Sequence, residues 1–129
     1  MRFTDIDYER EFALIATTTV QGRERQDGVA RYVNEFPSGD AEFAIVLSDD
    51  WQGRGLGTRL LASLIAAAQK HGVRRLVGTT LSVNVGMLAL GRKLGFGLAS
   101  DPSSATVTNL ALDLAAWPPA AAAGVRDDW

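Results

Sequence analysis

Between Gln52 and Thr58 the chain reads QGRGLGT, with glycines at 53, 55 and 57 and an amphipathic stretch directly after them. Stripping side chains from alternate positions just before a helix leaves backbone N–H groups uncovered at its mouth. Those donors have no partner inside the helix, and the helix dipole adds partial positive charge beside them. A phosphate group is the natural occupant. Hydrogen bonds to a charged group contribute roughly 1.5–3 kcal/mol each, against about 0.3–1 kcal/mol for the dipole at an exposed helix end. Convergent N–H donors therefore decide such a site. A tight turn with no ligand would use the same glycines and is the plain alternative.

Three phosphate-binding patterns compete for this stretch. A P-loop needs a lysine directly after its last glycine, and none follows before Lys70. A dinucleotide-binding turn wants a third glycine where Leu60 stands and an acid about 20 positions later, where VRRLVGTT has none. The third pattern is Gln/Arg-x-x-Gly-x-Gly/Ala, met by Gln52, Gly53, Arg54, Gly55, Leu56 and Gly57. It resembles the pyrophosphate-binding turn of the GNAT acyltransferases. NVGMLALGRKLGF (84–96) is similar to that family's later motif, an asparagine opening a helix that closes in Leu-Gly-Phe. The resemblance covers about residues 11–114. AEFAIVLSDDWQGRGLG together with MLALGRKLGF is most similar to the acetyltransferase domain of bacterial protein-lysine acetyltransferases.

The resemblance implies acetyl-CoA as co-substrate, no metal, and an amine acceptor, a small molecule or a protein lysine. It places the backbone of Val46 and Leu47 along the pantetheine arm and the N–H groups from Gly53 through Thr58 on the pyrophosphate. Asn84 would bond near the pantetheine; as a helix N-cap it has a second role open to it. Arg54 either meets a CoA phosphate or is simply solvated. A lysine acceptor with pKa ~10.4 lies ~4.6 kcal/mol from its neutral, nucleophilic form at pH 7, so a base is needed. Glu42 is the one carboxylate within the apolar run AEFAIVL and matches the catalytic glutamate of the resembled branch. Burial would raise its pKa to a useful range; the alternatives are a solvated glutamate or a pair with an arginine such as Arg31. The tyrosine that protonates the departing thiolate in many relatives is replaced by Gly91, and the two tyrosines, Tyr8 and Tyr32, fall outside the motif. A CoA-binding or protein-interaction module without turnover is the competing reading. With no cysteine, direct transfer is expected.

These residues need a scaffold. EFALIATTT (11–19), VARYVNEF (29–36) and AEFAIVL (41–47) read as strands, with VQGRERQDG as a hairpin connection. AEFAIVL is apolar on both alternating faces apart from Glu42, which predicts a central strand covered on both sides. Leu56, Leu60, Leu61, Leu64, Ile65 and Ala68 recur at helical spacing, and Gly72 suits a left-handed cap. VRRLVGTTL (73–81) reads as a strand and 86–95 as a helix with Met87, Leu90 and Leu94 on one stripe. A strand begins at Phe96, and ATVTNLALDL (105–114) is the last. The order β-β-β-α-β-α-β-β predicts an α/β (mixed α+β) sheet with helices on its faces and a GNAT-like fold. The family's usual first strand and helices are missing from this reading. That leaves an unpaired edge beside 11–19, and a homodimer is expected to cover it. Residues 1–116 form one domain, followed by a loosely ordered tail, 117–129.

Composition agrees with one globular domain: 47% hydrophobic, 22% charged, net charge −2. The charge balance disfavours nucleic acid, and no apolar run reaches the ~20 residues of a membrane span. MRFTDIDYERE has no signal-peptide apolar region, so a cytoplasmic location is expected. His71, at the helix end, reads as structural. Trp51 reads as an anchor for the glycine turn.

Overall fold

Alternating burial along each strand, rather than apolar content alone, sorts this sheet into two unlike faces. The computed structural model describes residues 1–7, 10–34, 39–48 and 55–118. The strands are β1 (Arg2–Asp7), β2 (Glu11–Val20), β3 (Arg23–Asn34), β4 (Asp40–Leu47), β5 (Arg75–Leu81), β6 (Gly97–Asp101) and β7 (Ser104–Asp113). The helices are α1 (Leu56–Lys70) and α2 (Val85–Lys93). One seven-stranded mixed sheet runs β1-β2-β3-β4-β5-β7-β6, parallel between β4 and β5 and antiparallel elsewhere.

On one face Phe12, Leu14, Ala30, Tyr32, Ala41, Phe43, Leu76, Leu110 and Leu112 are buried beneath both helices. The α1 stripe Leu56, Leu60, Leu61, Leu64, Ile65 and Ala68 closes that core. A fully buried leucine contributes about 1.5–3 kcal/mol. Several of them outweigh any cap, and α1 indeed starts at Gly55 with no side-chain cap. His71 ends the helix, its N–H donating to Ala67 O at 2.9 Å, and Gly72 follows with φ 84°. The His71 ring Nδ1 lies 2.7 Å from the Tyr32 hydroxyl. Burial pushes the Tyr32 phenol up to about 12, with the Asp7 carboxylate adding to it.

Several expectations are corrected here. A strand does precede residue 11: β1 pairs antiparallel along β2 from Arg2↔Thr17 to Asp7↔Phe12. The edge that was to need a partner chain is covered by the chain itself, which removes the reason given for a dimer. No helix precedes β2 among the described residues. The 20–28 connection shrinks to the turn Gln21–Gly22, because a two-residue turn with positive φ at both positions suits the twist of a hairpin. β3 therefore starts at Arg23. β4 is central, but among the described residues it is covered on one face only. Glu42, Ala44 and Val46 are exposed, because α1 and α2 both pack against the other side. Trp117, assigned to the tail, is buried, and its Nε1–H donates to Leu94 O at 3.0 Å. Among the described residues no helix is long and apolar enough to cross a membrane.

Candidate active site

β4 and β5 pair only at Asp40↔Arg75, Ala41↔Leu76 and Glu42↔Val77. Both strands then continue, to Leu47 and Leu81, with no pairing between them. β7 holds β5 along its other side and β3 holds β4, so the sheet stays intact while these two neighbours part. A cleft of about 390 Å³ opens on the helix side of the gap, lined by Ile45, Leu47, Gly55, Gly57, Thr58, Asn84, Gly86, Met87 and Leu90.

Each wall has a local cause. The Ser48 N–H donates to Asp27 O at 2.8 Å. Because backbone groups alternate in direction along a strand, those of Val46 point toward β3, and those of Ile45 and Leu47 point into the gap. The N-terminus of α1 supplies the second wall. Gly55 has φ 82°, the left-handed region open to glycine at little cost. A Cβ on Gly57 would lie 3.2 Å from Leu47 Cδ1 and 3.4 Å from Leu90 Cδ2, so β4, α1 and α2 meet closely there. Asn84 supplies the third wall. Its Oδ1 accepts from Met87 N–H at 3.1 Å and its Nδ2 donates to Thr80 Oγ1 at 3.3 Å. The N-cap role is thus real, and the same side chain borders the cleft.

Of the residues singled out in the sequence, Leu47, Gly55, Gly57, Thr58 and Asn84 line this one cleft. Leu56 is turned into the core. Gln52, Gly53, Arg54 and Trp51 lie outside the described residues, as does Tyr8. Val46 and Glu42 project from the opposite face of β4, where they are exposed. The burial expected of Glu42 is absent, and Arg31 pairs instead with Glu11 at 3.2 Å. Position 91, a glycine where many relatives carry tyrosine, is closely packed. A Cβ on Gly91 would sit 2.7 Å from Leu110 Cδ2, so this position faces the core and not the cleft. His71, at the far end of α1, is remote from the cleft: 15 residues of helix span roughly 22 Å.

Sequence reasoning missed Ile45, Gly86 and the split of the α2 stripe, where Met87 and Leu90 face the cleft and Leu94 is buried. It also missed Asp27, a fully buried carboxylate that accepts from Thr18 Oγ1 and from Arg25 Nε at 3.0 Å. Its carbonyl fixes the exit of β4 toward the glycine turn. An acid inside RERQDG gives no sequence signal of burial.

The sequence pattern of the Acetyltransferase (GNAT) family matches residues 6–96, which include all three walls of the cleft. The chain belongs to the GNAT acetyltransferase family. It is 34% identical over 102 residues to an acetyltransferase of Pseudomonas aeruginosa, covering 79% of this chain and 55% of that protein. It is 35% identical over 92 residues to the acetyltransferase Pat of Mycolicibacterium smegmatis, covering 70% of this chain and 27% of the relative. The chain thus spans about half the length of the first relative and about a quarter of the second. The crystal structure of the GNAT domain of S. lividans PAT superposes with a TM-score of 0.70 at 27% identity, over 86% of this chain and 65% of that one. GNAT enzymes use acetyl-CoA.

Proposed function

We propose that this GNAT domain is an N-acetyltransferase that moves acetyl from acetyl-CoA directly to an amine, with a protein lysine as the favoured acceptor. One observation carries the reading: the parting of β4 and β5 beyond Glu42 and Val77, at a cleft where the donor-bearing start of α1 and the capped start of α2 meet. In this reading the N–H groups from Gly53 through Thr58 hold the pyrophosphate, with Gln52 and Arg54 beside it. The pantetheine arm runs along β4, paired with the backbone of Leu47 and Ile45 rather than with that of Val46. Asn84 keeps one Nδ2 hydrogen for the arm after its bonds to Met87 and Thr80.

The acetyl group then sits in the gap, and the amine approaches from the exposed face on which Glu42 stands. The amine nitrogen attacks the thioester carbonyl, a C–N bond forms, and the C–S bond breaks. The amine proton passes to Glu42 through water, and the thiolate is protonated from solvent. Solvent exposure of Glu42 favours the relay through water.

Gly91 supports a second reading, a CoA-binding module without turnover, because the position that carries the thiolate's proton donor in many relatives is packed against Leu110. Thiol release from acetyl-CoA with a panel of amines and lysine peptides, set beside calorimetric binding, separates the two. Amine-dependent release supports the transferase. Binding with no release for any amine supports the module.

A further inference from the structure

Beyond Val77 the helix-side residues of β5 are Gly78 and Thr80, placed there by strand alternation with the buried Leu76. Carrying the parallel register past Glu42↔Val77 sets Gly78 across the gap from Phe43, and Thr80 across from Ile45. The first of these places is filled. A Cβ on Gly78 would lie 2.7 Å from the Phe43 ring, and the Phe43 and Phe96 ring centroids are 5.1 Å apart. A ligand entering the cleft past Gly55 and Thr58 is therefore stopped beside Ile45 and Thr80. Thr80 is half-buried, and its hydroxyl is only half used. Its Oγ1 accepts from Asn84 Nδ2 at 3.3 Å, which ties it to a side chain that lines the cleft. Its own O–H finds no acceptor among the described residues. The neighbouring hydroxyls of Ser82 and Thr108 bond each other at 2.7 Å instead. A hydroxyl both donates and accepts, so Thr80 keeps one donor in hand while Asn84 holds its oxygen.

The geometry points to Thr80 as a catalytic residue: its Oγ1–H donates a hydrogen bond to the CoA sulfur as the thioester breaks. The inference rests on the cleft being the CoA site. When the amine adds and the C–S bond breaks, the electron pair goes to sulfur. The new thiolate then needs a donor until water protonates it. Position 91 supplies none, because it faces Leu110. Thr80 gives a hydrogen bond and keeps its proton, so the hydroxyl need not act as an acid. A hydrogen bond to a charged group is worth roughly 10- to 100-fold. The carboxylate of Glu42 projects from the other face of β4, and β5 and α2 carry no acid that would oppose a thiolate.

Calorimetry of CoA and acetyl-CoA on the full chain at about pH 6.5 and about pH 9.5, either side of a thiol pKa of ~8.5, tests this without turnover. Acetyl-CoA has no thiol to ionise, so it corrects for every other group that titrates. The ratio of CoA to acetyl-CoA affinity is expected to rise about tenfold with pH in the wild type and in Thr80→Ser, at the lower end of that range. In Thr80→Val it should stay flat. With an amine acceptor, Thr80→Val should lower kcat about 10- to 100-fold at unchanged KM for acetyl-CoA, and Thr80→Ser should restore it. A ratio that is flat in the wild type, or a Thr80→Val variant with wild-type kcat, overturns the assignment and leaves the cofactor site standing. So does a Thr80→Val variant that weakens CoA and acetyl-CoA equally and keeps the rise, the mark of a residue that only orients Asn84. Failure of CoA itself to bind overturns the cofactor site, and the role of Thr80 with it.

Discussion

Replacing Gly55 by alanine and by aspartate separates a ligand-binding turn from a mere turn, because the two readings order the variants differently. Gly55 has φ 82° and ψ −5°, and a Cβ built on it meets none of the described residues within 4 Å. Against those residues the cost to the fold is backbone strain, about 1–2 kcal/mol for a residue held in the left-handed region. Aspartate tolerates that region better than alanine does, so Gly55→Asp should be no less stable than Gly55→Ala in urea. Affinity for CoA should follow the reverse order. A carboxylate about 6 Å from a phosphate, at an effective dielectric of about 20, is repelled by ~3 kcal/mol, or roughly 100-fold in Kd. Gly55→Ala adds no charge and should lose no more than about 5- to 30-fold on the scale of that strain. The aspartate penalty should shrink as salt rises from about 0.05 to 0.5 M, because exposed charges are screened. Urea midpoints and calorimetric Kd values for the three forms decide the matter. If the two variants lose CoA affinity equally, or in proportion to their stability, the glycines only make a turn and the phosphate argument is wrong.

Glu42→Gln should lower kcat at pH 7 by ~10²–10⁴-fold, the usual range for a lost general base, with CoA affinity unchanged and the rate partly restored as the pH rises. A variant that keeps wild-type turnover across pH 6–9 would remove Glu42 from the chemistry. Gly91→Tyr should not speed thiol release, because position 91 faces Leu110. It should destabilise the fold by about 1–3 kcal/mol or more through overpacking, and a faster, stable variant would refute that placement. For Tyr32, the folded-state pKa of about 12 lies above the unfolded value of 10.0. Its contribution to stability is present in full below pH 10 and is lost as the pH rises toward 12. Denaturation midpoints across that window should fall for the wild type and fall less for Tyr32→Phe; parallel curves would contradict the assignment.

Legibility in the sequence followed burial. α1, β5 and β7 bury one clear side, and their periodicity marked them within one or two residues. β1 (RFTDID) did not show itself. It is an edge strand whose only contribution against the core is Phe3, and its charged residues face solvent. The first half of β3 (RERQ) is a solvent-exposed hairpin arm with nothing apolar to alternate. The exposed face of β4 misled for the opposite reason: Ala44 and Val46 are apolar and yet uncovered. In the site, the glycine turn and Asn84 were legible because their chemistry is local. The direction of position 91, the bare face around Glu42 and the burial of Asp27 depend on which elements pack where, and no short-range pattern carries that.

A crystal structure of the protein with acetyl-CoA tests the central claim most directly. The account predicts the pyrophosphate against the N–H groups that lead into α1 from Gly53 to Thr58. The pantetheine should lie in the gap beside Leu47 and Ile45, with the thioester between Glu42 and the start of α2. Acetyl-CoA bound elsewhere, or β4 and β5 paired along their full length with the cleft closed, would contradict it.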